Sequence, residues 1–236
     1  MDTIRSQMVI GKKAQEALKD KKVLIFGLGG VGGACLEALA RLNVGHFTLV
    51  DGDVFDSSNL NRQLLATEKT LGRPKVQVAK ERVLDINPQA QVQVHEIMVK
   101  EDFSLFTDSY DGVVDCIDDV GAKIALYGFA QERGFFLLSS MGMGNKCHPE
   151  KIEIGSLYKT QVDPLARVLR RKCKEAGIKD FPVVFSQESP QRSEDFPKTS
   201  KPGSLSFVPP VAGYFLASIL LNHWVEELKQ TDESEG

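Results

Sequence analysis

The sequence predicts an α/β fold: a doubly wound, Rossmann-like, mainly parallel sheet, extended by a mixed-sheet second half. Three observations carry this. Short apolar runs alternate with segments whose apolar residues recur at helical spacing, the succession that builds a parallel sheet. A glycine-rich turn, Gly27-Leu28-Gly29-Gly30-Val31-Gly32-Gly33, joins the first such run to the first such helix. An acid, Asp51, ends the second run, where a carboxylate can accept hydrogen bonds from a ribose.

The elements follow in order. Lys22–Gly27 (KVLIFG) reads as a buried strand. Val31, Ala34, Cys35, Ala38, Leu39 and Leu42 then recur at helical spacing, and Gly45 fits the stop. His46–Asp51 is the second strand. Pro74 opens a helix with Val76, Ala79, Val83 and Ile86 on one face, and Asn87-Pro88 ends it. Gln91–Met98 is the third strand and Gly112–Ile117 the fourth. A helix runs on through Ala130, and Phe135–Ser140 is the fifth strand. After Met141 the pattern changes. Ile152–Leu157 and Pro182–Ser186 read as short strands around a basic helix, Pro164–Ala176. Gln187–Gly203 is polar and proline-rich, which predicts a mobile loop. Val211–Leu228 is the last helix. A single domain over 1–236 is expected, with a nucleotide-binding half (1–140) and a substrate and dimer half (141–236) that contains the loop 187–203.

Composition narrows the class. The chain has 236 residues, 42% hydrophobic and 26% charged, with a net charge of −3; its pI is about 5.9. A nucleic-acid partner must therefore meet a local basic patch. Four cysteines (Cys35, Cys116, Cys147, Cys173) lie far apart without Cys-x-x-Cys spacing, which argues against a structural zinc site, and Cys35 and Cys116 sit in apolar helix and strand patterns, as reduced core thiols do. The segment MDTIRSQMVIGKK has no apolar signal core. Val208–Leu221 is too short, and too interrupted by Pro209, Pro210 and Gly213, to span a bilayer. A cytoplasmic protein without membrane association is expected.

The glycine turn contains G-x-G-x-x-G between strand and helix, where backbone can approach a phosphate and the helix N-terminus favours negative charge. By itself it reads as NAD binding, or as a tight turn with no ligand, and does not tell ATP from NAD. The polar residues beyond it do. Asn59, Arg62 and Gln63 lie in NLNRQ, Arg73 and Lys75 in GRPK, and Asp118 closes the fourth strand in VDCIDD. All fall near the C-terminal edge of the sheet, where such folds bind ligands. Two cations and a carboxylate suit a triphosphate with magnesium; hydride transfer needs no such set. Taken singly, Lys75 reads equally as a solvated helix residue and Asp118 as a helix cap.

In this order, GLGGVGG, Asp51, NLNRQ, GRPK and DCIDD resemble the ThiF/HesA/MoeB superfamily, which has the fold of the ubiquitin-activating enzymes. The resemblance implies adenylation of a carboxylate with ATP and release of pyrophosphate. It implies that Asp51 holds the ribose, that Asn59, Arg62 and Lys75 hold the phosphates, and that Asp118 organises Mg2+. An arginine near the N-terminus of a partner subunit commonly completes the site; Arg5 in IRSQMVIG is the match, which implies a homodimer. The expected catalytic residues are Asp118, Arg62, Lys75 and Arg5, with Asp118 as metal ligand. The expected nucleotide-binding set is Gly27, Gly29, Gly30, Gly32, Asp51, Asp53, Asn59, Arg62, Gln63, Lys75 and Asp118.

The branch is read from the second half. Sulfur-carrier activators of this superfamily usually carry two Cys-x-x-Cys pairs, and this chain has none; acyl-transferring members use a loop cysteine, and Gln187–Gly203 has none. Ser139–Asn145 (SSMGMGN), Asp163–Arg171 (DPLARVLRR), Val183–Glu188 (VVFSQE) and Pro202–Gly213 (PGSLSFVPPVAG) instead resemble the bacterial tRNA threonylcarbamoyladenosine dehydratase family. That resemblance implies a tRNA substrate bearing threonylcarbamoyladenosine. Its carboxylate would be adenylated and then displaced by a nucleophile of the same side chain, an intramolecular step that needs no enzyme thiol. Expected ligands are ATP, Mg2+ and a monovalent cation ordering SSMGMGN; expected partners are the modified tRNA, a second copy and a sulfur-relay protein. No general base is assigned, and His95 and His148 are expected to be structural. Alternatives are activation of the C-terminus of a ubiquitin-like sulfur carrier, an NAD-dependent oxidoreductase, which would leave Arg62, Lys75 and Asp118 unexplained, and a non-catalytic nucleotide-binding or scaffold protein. Finally, Leu165–Asp180 carries six Lys/Arg and two acids, a local charge of +4. Arg167, Arg170, Arg171 and Lys174 should share one helix face and follow a phosphate backbone, with Lys198 and Lys201 adding to it; a solvated face is the plainer reading.

Overall fold

A computed structural model of the chain describes residues 1–197 and 202–235. Seven strands form one sheet: β1 (Lys22–Phe26), β2 (His46–Val50), β3 (Gln91–His95), β4 (Gly112–Asp115), β5 (Leu137–Ser140), β6 (Ile152–Ser156) and β7 (Pro182–Ser186). Their order is β3-β2-β1-β4-β5-β7-β6. All neighbours are parallel except β6, which runs antiparallel to β7. The expected doubly wound sheet with a mixed extension is therefore present. The helices are α1 (Ile4–Ile10), α2 (Lys12–Ala17), α3 (Gly30–Arg41), α4 (Lys75–Ile86), α5 (Val120–Arg133), α6 (Pro164–Glu175) and α7 (Val208–Glu235).

Covering both faces of a parallel sheet turns alternation into two cores. Along β1, Val23 and Ile25 enter one core with α3, α4 and α7, while Leu24 and Phe26 enter the other with α5 and α6. That is why VLIF reads as an unbroken apolar run. Because β2 and β4 flank β1 on opposite sides, the connections leaving β1 and β4 diverge at their C-terminal ends. This is the switch point at which such sheets bind ligands.

Several boundaries differ from expectation, each for a local reason. The fourth strand stops at Asp115, not Ile117, because the Asp115 carboxylate turns back to accept the Ile117 N–H at 3.0 Å. The third stops at His95, not Met98: the His95 carbonyl takes the Asp51 N–H, and β2 has already ended. The last helix begins at Val208, and the expected interruption by Pro209, Pro210 and Gly213 does not occur. Both prolines sit in the first turn, where N–H groups have no intrahelical acceptor anyway. Gly213 stays inside the helix because a Cβ there would stand 2.2 Å from the Val31 carbonyl oxygen. By length and mean hydropathy, Val208–Thr231 meets the criterion for crossing a membrane. Its residues Val208, Ala212, Leu216, Leu220 and Trp224, four apart, are fully buried in the core on the α3 side of the sheet.

The segment expected to be a mobile loop is tied at its described ends. Asn145 accepts the Gln191 N–H on its carbonyl and the Gly203 N–H on Oδ1, both at short range (2.6 and 2.7 Å), and its own N–H donates to the Gly203 carbonyl. Lys198 and Lys201 lie outside the described residues.

Candidate functional site

The glycine turn is built by exclusion. Gly27 has φ +85°, and a Cβ on it would lie 2.6 Å from the Cys116 carbonyl oxygen. A Cβ on Gly32 would lie 1.8 Å from the Gly27 carbonyl oxygen, so only glycines let α3 start this close to β1. Gly29 caps α3 and is open: an added Cβ would meet only Gln63 Nε2, at 3.8 Å. Gly30 differs. Its Cβ would meet Pro209 at 2.9 Å and the Arg62 carbonyl at 3.1 Å, so it lets α3 pack against α7 and the Arg62 backbone.

Asp51 lies directly against this turn. Its Oδ2 accepts the Leu28 N–H at 2.6 Å and its Oδ1 the Asp53 N–H at 2.8 Å. Burial pushes its carboxyl above the ordinary range, although nearby Lys75 and the two backbone bonds pull the other way. Lys75 opens α4 and is buried, so the reading of a solvated helix lysine fails. Its Nζ reaches Asp53 Oδ2 at 2.8 Å. Asp53 itself is exposed, which leaves a desolvated cation with a solvent-facing counter-ion.

The NLNRQ segment leaves the end of a short 3-10 turn, Ser57–Asn59, which is closed by a capping box between Asp56 and Asn59. Asn59 is buried, and its Oδ1 accepts the Asp56 N–H at 3.3 Å. Arg62 donates to the Ser58 carbonyl at 2.6 Å and to Asn61 Oδ1 at 3.1 Å, and has no carboxylate partner among the described residues. Gln63 is buried, and its Oε1 has no partner among the described residues. An unsatisfied buried acceptor costs roughly 1–3 kcal/mol, and this one sits beside the open Gly29. Arg73, by contrast, is spent on Glu81 at 2.6 Å at the surface.

Asp118 does not close the fourth strand; it stands exposed in the connection between β4 and α5. Nor does it cap the helix. Asp119 does, accepting the Ala122 N–H at 2.8 Å. Asp118 makes no hydrogen bond or ion pair among the described residues, which leaves its carboxylate free at the sheet's C-terminal edge. Beneath it lies a group that sequence reasoning missed. Buried Asp115 Oδ2 accepts from Lys123 Nζ (2.6 Å), Tyr127 OH (2.7 Å) and Ser139 Oγ (2.6 Å). Lys123 also donates to the Ser140 carbonyl at 3.1 Å. Burial first, then the Asp115 charge, holds the Tyr127 phenol well above its ordinary pKa. The network locks the ends of β4 and β5 to α5. Its one sequence signal is Lys123, a charge inside an apolar helical pattern.

Arg5 lies exposed on α1 and, among the described residues, forms no bond to the site of its own chain. On α6, Arg167, Arg171 and Lys174 are exposed as expected, and so is Lys172. Arg170 is not free on that face: its guanidinium is tied to the Thr160 carbonyl and hydroxyl. His95 packs edge-on against Phe106, and His148 Nδ1 lies 2.8 Å from Glu150 Oε1.

Asp51, the Asp53–Lys75 pair and the Arg62–Gln63 segment thus adjoin the glycine turn, with Asp118 after β4, and neither Arg62 nor Asp118 has an oppositely charged partner among the described residues. A model of the ThiF family matches residues 4–233. The tRNA threonylcarbamoyladenosine dehydratase of Bacillus subtilis is 38% identical, over 95% of this chain and 95% of its own length. The molybdopterin-synthase adenylyltransferase of Escherichia coli is 41% identical, but over 46% of this chain and 44% of its own. A crystal structure of the E. coli tRNA N6-threonylcarbamoyladenosine dehydratase, TcdA, in complex with ATP matches with a TM-score of 0.88 at 30% identity, covering 96% of this chain and 94% of that one.

Proposed function

The chain belongs to the ThiF family, and from that premise we propose that it is an ATP-dependent tRNA threonylcarbamoyladenosine dehydratase. It adenylates the carboxylate of threonylcarbamoyladenosine in tRNA and cyclises the side chain, with release of pyrophosphate and AMP. The carrying observation is the match to the B. subtilis dehydratase along both halves, 95% of each chain. The match to a sulfur-carrier activator covers 46% of this chain.

The chemistry balances without an enzyme nucleophile. A carboxylate is a poor electrophile because its leaving group would be oxide. Its oxygen attacks the α-phosphorus of ATP, an O–P bond forms, and pyrophosphate leaves. A nucleophile of the same side chain then attacks the activated carbonyl carbon; the C–O bond breaks and AMP leaves with that oxygen. The net change in the nucleoside is loss of one water. Being intramolecular, ring closure gains effective concentration. The protein's main task is to position and neutralise charge.

In this reading Gly27, Gly29 and Gly32 admit the nucleotide to the backbone, and Asp51 accepts the ribose hydroxyls. Asn59 shapes the turn that presents Arg62 and Gln63. Arg62 and Lys75 take phosphate charge; Asp53 holds Lys75 until they do. The unpaired Gln63 Oε1 supplies an acceptor for a ligand N–H or O–H. Asp118 would hold Mg2+, which when bound offsets phosphate charge. The enzyme works in the cytoplasm as a homodimer, with Arg5 reaching the partner's site. Nucleoside analysis of threonylcarbamoyladenosine-bearing tRNA, before and after incubation with the protein and ATP, tests the function. The modified nucleoside should become lighter by one water only when ATP is present; an unchanged nucleoside would contradict it.

A further inference from the structure

Away from the nucleotide residues, the chain brings three donor side chains of different chemistry together. Buried Lys146 donates to the Gly142 carbonyl (2.6 Å) and to buried Asp163 Oδ2 (2.8 Å), which fixes the backbone entering Cys147 and His148. The N–H of Cys147 donates to both oxygens of Glu188 at 3.0 Å, and that of His148 to Oε2 at 2.8 Å. Glu188 is itself buried, with its own N–H on Ser186 Oγ. The Cys147 thiol donates to Glu188 Oε1 at 3.3 Å. A ligand atom from each of Cys147, His148 and Glu188 lies within 4.8 Å of the other two. Glu150 stands on the same imidazole.

We propose that Cys147, His148 and Glu188 form a binding site for a zinc-class divalent cation, separate from the nucleotide site. Sulfur, nitrogen and carboxylate oxygen are the donor types zinc takes, and tetrahedral bonds of about 2.0–2.3 Å place ligand atoms roughly 3.5 Å apart. Cys147 Sγ and Glu188 Oε1 already stand at 3.3 Å, so closure needs mainly a rotation of the half-exposed His148 ring. A hard ion such as magnesium would not select a thiolate. The cation replaces the thiol proton between Cys147 and Glu188, so binding releases a proton. Exposure on the Cys147 side leaves a fourth position for water. The site would clamp the start of the 187–197 segment to the SSMGMGN strand end, next to the Asn145 bonds that hold its other side. Cysteine-pair spacing cannot detect it, because two ligands are adjacent and the third comes from another strand end.

The test uses the full-length protein, stripped of metal by a chelator. Cobalt titration should produce thiolate charge-transfer absorption at one equivalent, abolished by zinc and absent in Cys147→Ser. Cys35 and Cys173 are buried, Cys116 is partly exposed and Cys147 is exposed, so thiol labelling is read at Cys147 itself by peptide mass analysis, and zinc should slow it at least tenfold. His148→Asn, a change at a partly exposed ring, should weaken zinc binding roughly tenfold or more while leaving the melting temperature unchanged in the absence of metal. Zinc affinity equal in wild type, Cys147→Ser and His148→Asn, or a cobalt spectrum without thiolate bands, would overturn the proposal.

Discussion

Asp115 and Asp118 occupy one short motif, VDCIDD, yet the fold assigns them opposite tasks. Asp115 is fully buried under three donors, one of them the charged Lys123. Asp118 is exposed and unbonded among the described residues. Removing one partner of a buried ion pair strands the other, at a cost of about 3–5 kcal/mol. Asp115→Ala should therefore lower stability by that order in denaturant melts. Asp118→Ala should stay within about 0.5 kcal/mol of wild type and lose ATP-dependent turnover. A stable, active Asp118→Ala would remove the metal-holding role. The acids were legible as a motif, but which one faces solvent depends on where β4 ends. That end is set by a side-chain bond from Asp115 to the Ile117 N–H, which periodicity does not encode. Gln63 is similar: its place in NLNRQ was visible, while the orphaned Oε1 is a packing outcome.

At the scale of elements, α6 carries the basic charge expected of a tRNA contact on three of the four residues that helical spacing grouped, Arg167, Arg171 and Lys174. Arg170 turns back onto Thr160, since spacing alone does not show a neighbouring acceptor. Arg167 and Arg171 are the exposed probes, Arg171 in a solvent-facing pair with Glu175 at 3.3 Å. Reversing both to Glu should weaken tRNA binding roughly tenfold or more at low salt and flatten its salt dependence. ATP affinity should not change, because the glycine turn and Lys75 belong to other elements. Unchanged tRNA affinity in filter binding at low ionic strength would move the docking surface elsewhere. The strands and α3 to α5 were legible because apolar period and glycine or proline stops agree with their packing. The start of α7 was not: two prolines read as a break when the helix places them in its first turn, and Gly213 is demanded by close contact with α3.

At the scale of the molecule, the doubly wound sheet sets every proposed nucleotide contact at the C-terminal ends of β1, β2 and β4. Only the N-terminal helix stands apart. It is seven residues long, shorter than isolated helices tolerate, has no buried residue, and leaves Ile4, Met8 and Val9 exposed beside Arg5. A second copy covering that face would account for its stability and carry Arg5 into the neighbouring site. Mixing Arg5→Ala with Asp118→Ala should then restore activity in mixed dimers, to roughly a quarter of wild type for random exchange with one intact site per mixed dimer. Absence of rescue after proven exchange would confine Arg5 to a structural role.

The central claim is that the reaction runs through a carboxyl adenylate on the nucleoside. The direct measurement uses tRNA whose threonylcarbamoyl carboxylate carries oxygen-18, incubated with the protein and unlabelled ATP, with mass analysis of the released nucleotide. The account predicts AMP and pyrophosphate in equal amounts, with one heavy oxygen in the AMP for each nucleoside cyclised. ADP and orthophosphate as products, or AMP free of label, would contradict it.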